Sequence, residues 1–232
     1  MEGYVLVDKP AGWTSFDVVH YIRGIAAKVD KVPARKLRVG HAGTLDAFAT
    51  GLLIVLIGRK YTAQASRLLV DKSYTAGICL DKTSSTGDPE GEIRSIPAGP
   101  EPSKTDIRQC LKSFVGTSMQ TPPAFSAVKV DGVRAYHLAR NNQPVKLRQR
   151  QITIHRIQLL SYNYPAIQFS VSVSSGTYIR TLTEDIGKAL GRSAYTTELV
   201  RTGIGPYLLD QAVEVQQITP ENIRGLLRTG NL

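Results

Sequence analysis

The chain has 232 residues, 42% hydrophobic and 21% charged, with a formal net charge of +10. That length suits one large domain or two small ones and buries about 70–75% of the unfolded surface. No apolar run approaches the roughly 18 residues of a membrane span, and the N-terminus lacks the basic region and apolar core of a secretory signal. Cys79 and Cys110 are the only cysteines and have no CxxC spacing, which argues against a disulfide scaffold or a zinc site and fits a reducing cytoplasm.

In chain order, Gly3 to Asp8 reads as a strand, broken by Lys9-Pro10-Ala11-Gly12. Thr14 with Asp17 three residues on has the form of a capping box, with Asp in place of Glu. Phe16, Val19, Ile22, Ala26 and Val29 then recur at helical spacing, which predicts an amphipathic helix over about 15–28. Residues 30–38 form a basic loop, and Thr50 to Gly58 is a buried apolar segment. Ala63 to Leu69 reads as a helix. Lys72 to Asp81 reads as a strand with Tyr74, Ala76, Ile78 and Leu80 on one face. A polar, turn-rich stretch, Thr83 to Pro102, precedes a helix over Thr105 to Val115 with Ile107, Leu111 and Phe114 inward. Thr121-Pro122-Pro123 is stiff and extended. A basic helix-like stretch, Arg134 to Arg140, and a polar loop follow. Ile152 to Tyr162 and Ile167 to Ser174 alternate like paired strands, and a helix runs from Thr181 to Leu190. There are no repeats and no evident linker. The mixture predicts one α+β domain on a largely antiparallel central sheet.

Two segments carry the whole charge excess. Arg23, Lys28, Lys31, Arg35, Lys36 and Arg38 stand against Asp30; Lys129, Arg134, Arg140, Lys146, Arg148, Arg150 and Arg156 stand against Asp131. Two basic segments on a near-neutral body suit a polyanion such as nucleic acid, the plain alternative being a solvated surface. Between them, residues 39–52 place the carboxylate of Asp46 just after a turn-rich Gly-His-x-Gly segment. A lone imidazole, His41, lies five residues upstream, and the apolar run Leu52 to Ile57 can pin this loop to a rigid element. A loop Asp taken alone is usually structural.

Five motifs in order resemble the TruB-type tRNA pseudouridine synthases. They are Asp8-Lys9-Pro10 with Gly12 and Thr14-Ser15-Phe16; Gly40-His41-x-Gly43-Thr44-Leu45-Asp46-x-x-Ala49-Thr50-Gly51; Lys72-Ser73-Tyr74; Pro122-Pro123 with Ser126-Ala127-Val128-Lys129 and Tyr136; and Ser175-Gly176-Thr177-Tyr178-Ile179-Arg180-Thr181. The resemblance runs from about Gly3 to Thr219. It implies the pseudouridine synthase fold and a cytoplasmic enzyme that isomerises a uridine in the T loop of tRNA, position 55, after base flipping. Neither cofactor nor metal is implied, because the reaction needs no redox step and no hydrolysis. On this resemblance Asp46 is the catalytic carboxylate, and Arg180 keeps it ionised and oriented. Tyr74 stacks on the target base, Tyr178 and Leu199 line the uracil pocket, and His41 fills the space left by the flipped base. Lys9 and Pro10 are structural. Lys129, Arg148 and Arg150 would meet the RNA backbone, the T arm of tRNA being the partner. No obligate protein partner and no membrane are expected. The whole chain, 1–232, is expected to be one catalytic domain with a basic insertion at about 129–150 and no C-terminal PUA domain.

The chain departs from the family pattern in places. Ala47 stands where Pro is usual, and Gly58-Arg59-Lys60-Tyr61-Thr62 replaces Gly-x-Ala-Thr-Lys. Leu199-Val200-Arg201 replaces Leu-Arg-Arg. Ser84-Ser85-Thr86 replaces Thr-Asp-Thr, so Ser85 leaves Arg180 one carboxylate short unless another acid, such as Asp88, fills the gap. That gap motivates a rival reading, a non-catalytic tRNA-binding or folding module. A phosphate-binding hydrolase is disfavoured by the lack of a Gly-Lys-Ser/Thr loop.

Overall fold

A computed structural model describes residues 1–97, 99–126, 128–130, 132–141, 143–145 and 147–230. Ala127 of the fourth motif, and Asp131 and Lys146 of the second basic segment, lie outside the described residues. In chain order the elements are β1 (Gly3–Lys9), α1 (Ser15–Val29), β2 (Val39–Ala42), β3 (Thr50–Ile57), α2 (Arg59–Thr62), β4 (Lys72–Leu80), β5 (Lys82–Ser84) and β6 (Ile93–Ser95). Then come α3 (Lys104–Ser113), β7 (Gly116–Gln120), β8 (Lys129–Val130), β9 (Val133–Arg134), α4 (Ala135–Arg140), β10 (Arg150–Asn163) and β11 (Ala166–Val173). The last are α5 (Ile179–Ala189), β12 (Ala194–Ile204), β13 (Tyr207–Leu208), β14 (Val213–Glu214) and α6 (Ile223–Leu226). The chain forms two units, Met1–Tyr74 with Leu199–Leu232, and Thr75–Glu198, and the division falls within β4 and β12.

In the first unit β3 is the central strand. It pairs antiparallel with β1, from Gly3↔Ile57 to Lys9↔Gly51, and with β2, where His41 faces Val55. It pairs parallel with β12 at Val200↔Thr50 and Arg201↔Gly51. Leu52 to Ile57 are wholly buried, because both faces of β3 are covered. A strand covered on both sides reads as one apolar run, not as an alternation. Its side chains still alternate between two cores. Leu53, Val55 and Ile57 pack with Val5, Val7 and the buried face of α1, while Leu52, Ile54 and Leu56 pack with Tyr4, Leu6, Tyr61 and Ile204.

Helix α1 starts where its cap dictates. The Thr14 side chain accepts from the Asp17 amide, and the Asp17 carboxylate accepts from the Thr14 amide. Val18, Val19, Ile22, Ile25 and Ala26 form the buried face. Phe16, expected on that face, is instead 61% exposed. At about 3.6 residues per turn it falls opposite Ile25. The helix expected over Ala63 to Leu69 is reduced to a 3₁₀ turn at Ala65–Leu68, preceded by the single turn α2. Segments this short do not sustain a helix unaided, and each turn is anchored by one buried side chain, Tyr61 and Leu68.

In the second unit β11 lies between β4 and β10, and β7 pairs with β10. The two strands expected from alternation are present: β10 and β11 pair antiparallel from Ile154↔Val173 to Asn163↔Ala166. Ala76, Ile78 and Leu80 of β4 are buried, as their shared face predicts. Helix α3 has its own capping box, Ser103 with Asp106, and buries Ile107 and Leu111, while Phe114 at its end is half-buried. Helix α5 begins at Ile179, so Arg180 sits in its first turn and is buried. The architecture is α+β with a mostly antiparallel sheet. Among the described residues no helix is long and apolar enough to cross a membrane.

Candidate active site

The first unit holds Asp46, His41, Tyr74 and Leu199. Asp46 is half-buried in the loop that joins β2 to β3. The loop turns at Gly43, whose φ of +79° suits glycine, and closes with the Ala49 amide donating to the Asp46 carbonyl. Three groups fix it from behind. Ser15 Oγ accepts from the Leu45 amide at 2.8 Å and donates to the Leu45 carbonyl at 3.1 Å. The buried Lys9 ammonium donates to the carbonyls of Pro10, Trp13 and Ala47, and the Gly12 amide donates to Ala47 as well. Arg201, 1% exposed, donates from Nε to Leu52, from Nη2 to Gly43 and from Nη1 to Thr44.

Arg201 also interacts with the Tyr74 side chain and, electrostatically, with Asp46. Tyr74 and Leu199 are both buried, on β4 and β12. Burial, and then repulsion from Arg201, push the His41 imidazole below its ordinary value, which favours the neutral ring. Its Nδ1 is buried and has no hydrogen-bond partner among the described residues. Lys72 donates to the Leu68 and Val70 carbonyls. Burial and Arg201 push its ammonium down to about 8.

The second unit holds Tyr178, Arg180, Lys129, Arg148 and Arg150. Tyr178 caps α5 and is clamped by Gln120: its amide donates to Gln120 Oε1 at 2.8 Å, and Gln120 Nε2 donates back to its carbonyl at 3.0 Å. The Arg150 guanidinium lies 4.5 Å from the Tyr178 ring centroid, a cation–π distance. Its Nε and Nη2 are buried and have no hydrogen-bond partner among the described residues. Lys129 and Arg148 are exposed.

Arg180 is not short of a carboxylate. Its Nη1 pairs with Asp88 Oδ2 at 3.0 Å, and both side chains are only 4% exposed. It also donates to the Thr86 and Phe125 carbonyls. Ser85 instead points outward and accepts from the exposed Glu92 amide. The concern raised by Ser85 is therefore corrected: Asp88, the alternative acid, supplies the charge.

Sequence reasoning gave no role to Lys72, Gln120 or Arg201. Two of them carried a signal. Lys72 shares the buried face of Tyr74, Ala76 and Ile78, and Arg201 shares the buried face of Leu199 and Gly203. A cation in register with an apolar face must find acceptors there. Among the described residues no cluster of three or more His, Cys, Asp or Glu could hold a metal.

The α+β fold, with a half-buried Asp on a loop pinned by buried cations, has the form of an RNA pseudouridylate synthase. A chain in the crystal structure of a Cbf5-Nop10-Gar1 complex superposes with a TM-score of 0.68 at 30% identity, over 92% of this chain and 52% of that one. The profile of the TruB family pseudouridylate synthase N-terminal domain matches residues 31–179, and that of the tRNA pseudouridylate synthase B C-terminal domain matches 180–224. The tRNA pseudouridine synthase B of Bacteroides fragilis is 44% identical over 214 residues, which is 92% of this chain and 91% of that protein. That of Chlorobaculum tepidum is 41% identical over 222 residues, 95% of this chain and 91% of that protein. The chain belongs to the TruB family of pseudouridylate synthases.

Three outcomes follow for these groups. Asp88→Ala removes the acid from a buried ion pair and should cost roughly 3–5 kcal/mol in denaturant unfolding. Ser85→Ala, at an exposed site, should stay within about 0.5 kcal/mol of the parent. Lys72 gives a pH signature. Between about 8 and its ordinary value of 10.5, the unfolded chain holds a proton that the folded chain has lost. Stability therefore rises with pH across that window, and the penalty for the buried ammonium is complete below it. The stability of the parent relative to Lys72→Met should climb through that range. A flat difference would show that the ammonium is ordinarily solvated.

Proposed function

We propose that this protein isomerises a uridine to pseudouridine in the T loop of tRNA, at position 55. Membership of the TruB family carries the reading, and the fixed loop around Asp46 supports it. The reaction breaks the C1′–N1 bond, turns the uracil and forms C1′–C5. One proton leaves C5 and one is gained at N1, so no oxidant, reductant or water is consumed. Asp46 acts as the catalytic carboxylate at the reacting nucleoside. Arg180, the arginine of the last motif, is anchored by Asp88.

A base stacked inside a folded loop is out of reach until it is extruded. Tyr74 then stacks on it, Leu199 lines the pocket, and the neutral His41 ring takes the vacated space. A neutral ring suits that place, because it meets bases and not phosphates. Lys129, Arg148 and Arg150 contact the backbone of the T arm, with Arg150 bridging from that surface to Tyr178. In the first basic segment, Lys28, Lys31, Arg35, Lys36 and Arg38 are exposed and free to meet phosphates, whereas Arg23 is turned to the Val39 carbonyl. The non-catalytic alternative depends on a missing partner for Arg180, and Asp88 removes that motive.

Asp46→Asn should abolish single-turnover pseudouridine formation on a tRNA transcript, by about a thousandfold or roughly 4 kcal/mol of barrier, while leaving tRNA affinity nearly intact. Turnover within tenfold of the parent, read by chemical tagging of pseudouridine, would remove Asp46 from the reaction. Charge reversal at Arg148 and Arg150 should weaken tRNA binding and reduce the slope of log K against log salt by roughly 0.7–0.9 for each phosphate no longer neutralised. Unchanged affinity and slope would make that loop an ordinary solvated face.

A further inference from the structure

Arg201 is one of the largest fully buried side chains of the protein. Its β12 strand runs beside β3, and Gly51 faces it directly. A Cβ on Gly51, where φ is +99°, would stand 2.5 Å from the Arg201 carbonyl oxygen and 2.8 Å from its amide nitrogen. A Cβ on Gly43 would stand 3.4 Å from Arg201 Nη1 and 3.3 Å from Lys72 Cε. Gly51 thus lets the backbone of β12 come close to β3 at Arg201, and Gly43 lies in contact with the guanidinium itself. The guanidinium holds backbone on both sides of the carboxylate, Gly43 and Thr44 before it and Leu52 after it. The remaining side-chain partner is the Tyr74 hydroxyl.

A scaffold needs no cation for this purpose. Burying a guanidinium carries a desolvation cost that carbonyls and one phenol offset only in part. Asp46 is the anion in its electrostatic surroundings, with His41, Lys72 and Tyr74 as the other titratable neighbours.

We propose that Arg201 is a positioning residue for the isomerisation: its one guanidinium fixes the Asp46 loop and the Tyr74 hydroxyl in a common frame, so that the carboxylate and the ring that stacks on the base are set relative to each other. The proposal rests on the tRNA pseudouridine synthase reading. It assigns Arg201 a role separate from that of Arg180, which is held in the second unit by Asp88, Thr86 and Phe125.

The test uses the full chain and an unmodified tRNA transcript. Arg201→Lys, Arg201→Gln and the parent are compared by single-turnover rate against pH, by tRNA affinity, and by thermal melting. Arg201→Lys keeps the charge but loses the planar fork. It should lower the rate about tenfold or more, leave tRNA affinity unchanged, and keep the acid limb of the pH profile where it is in the parent. Arg201→Gln should lower the rate further and move that limb upward by about one pH unit, because a cation beside a carboxylate favours its charged form. A purely structural arginine would lower melting temperature in both variants without moving the limb. Should Arg201→Gln fail to fold, the rate and affinity of Arg201→Lys decide: a rate within twofold of the parent overturns the proposal. A folded Arg201→Gln with an unmoved acid limb also overturns it. A parent that forms no pseudouridine in tRNA overturns the function itself, whereas an active parent with indifferent variants overturns only the role of Arg201.

Discussion

A guanidinium that cannot reach water must find acceptors for its N–H groups inside the protein, and where it finds them it fixes geometry. In the first unit, Arg201 meets this requirement with carbonyls of the Asp46 loop, the start of β3 and the Tyr74 side chain. Gly51 admits the close approach of the Arg201 backbone, and Gly43 supplies the positive-φ turn beside its guanidinium. The register of β12 against β3 is there because it delivers Arg201 opposite Gly51. The backbone around Asp46 is thus held at three carbonyls by one buried side chain. Lys9 and Ser15 repeat the device on a smaller scale, each turning a buried polar group toward loop carbonyls.

The second unit uses the same physics with a carboxylate added. Arg180 gives two carbonyls and Asp88 a charged donor, and Asp88 in turn accepts from the Thr86 hydroxyl and the Glu90 amide. The turn-rich segment from 84 to 91 is thereby ordered around an ion pair. Gln120 adds the neutral version, a side-chain amide matched to the backbone of Tyr178 as another strand would be.

The sequence was most legible where one face of an element decides its fate. The cap at Thr14 and Asp17, the buried run of β3, the face of β4 and the pairing of β10 with β11 all follow from spacing. It was least legible where a few residues depend on distant partners. Phe16 fits the helical period but not its buried arc. Residues 63–69 have the composition of a helix but not the length. Strand β12 escaped because Thr196, Thr197, Glu198 and Arg201 break its apolar alternation, and the reason for Arg201 lies across the sheet. Motif resemblance located Asp46, Tyr74 and Arg180, whereas the partner of Arg180 could be named only as one option. Which position of a turn faces inward is set by backbone geometry: position 85 is exposed and position 88 is buried.

Position 47 shows what such anchoring frees. Ala47 stands where relatives restrict the turn with proline, yet its carbonyl already accepts from both the Lys9 ammonium and the Gly12 amide. The turn is held through a backbone oxygen that every amino acid possesses, so side-chain identity at 47 is released from the task. The Gly12 amide also becomes a native gauge of the loop. Gly12 itself is exposed, and its N–H is kept from solvent deuterium only by Ala47, the residue next to Asp46. Its exchange rate therefore reports how often the peptide carrying the carboxylate lifts away from its seat, with no label on the site itself.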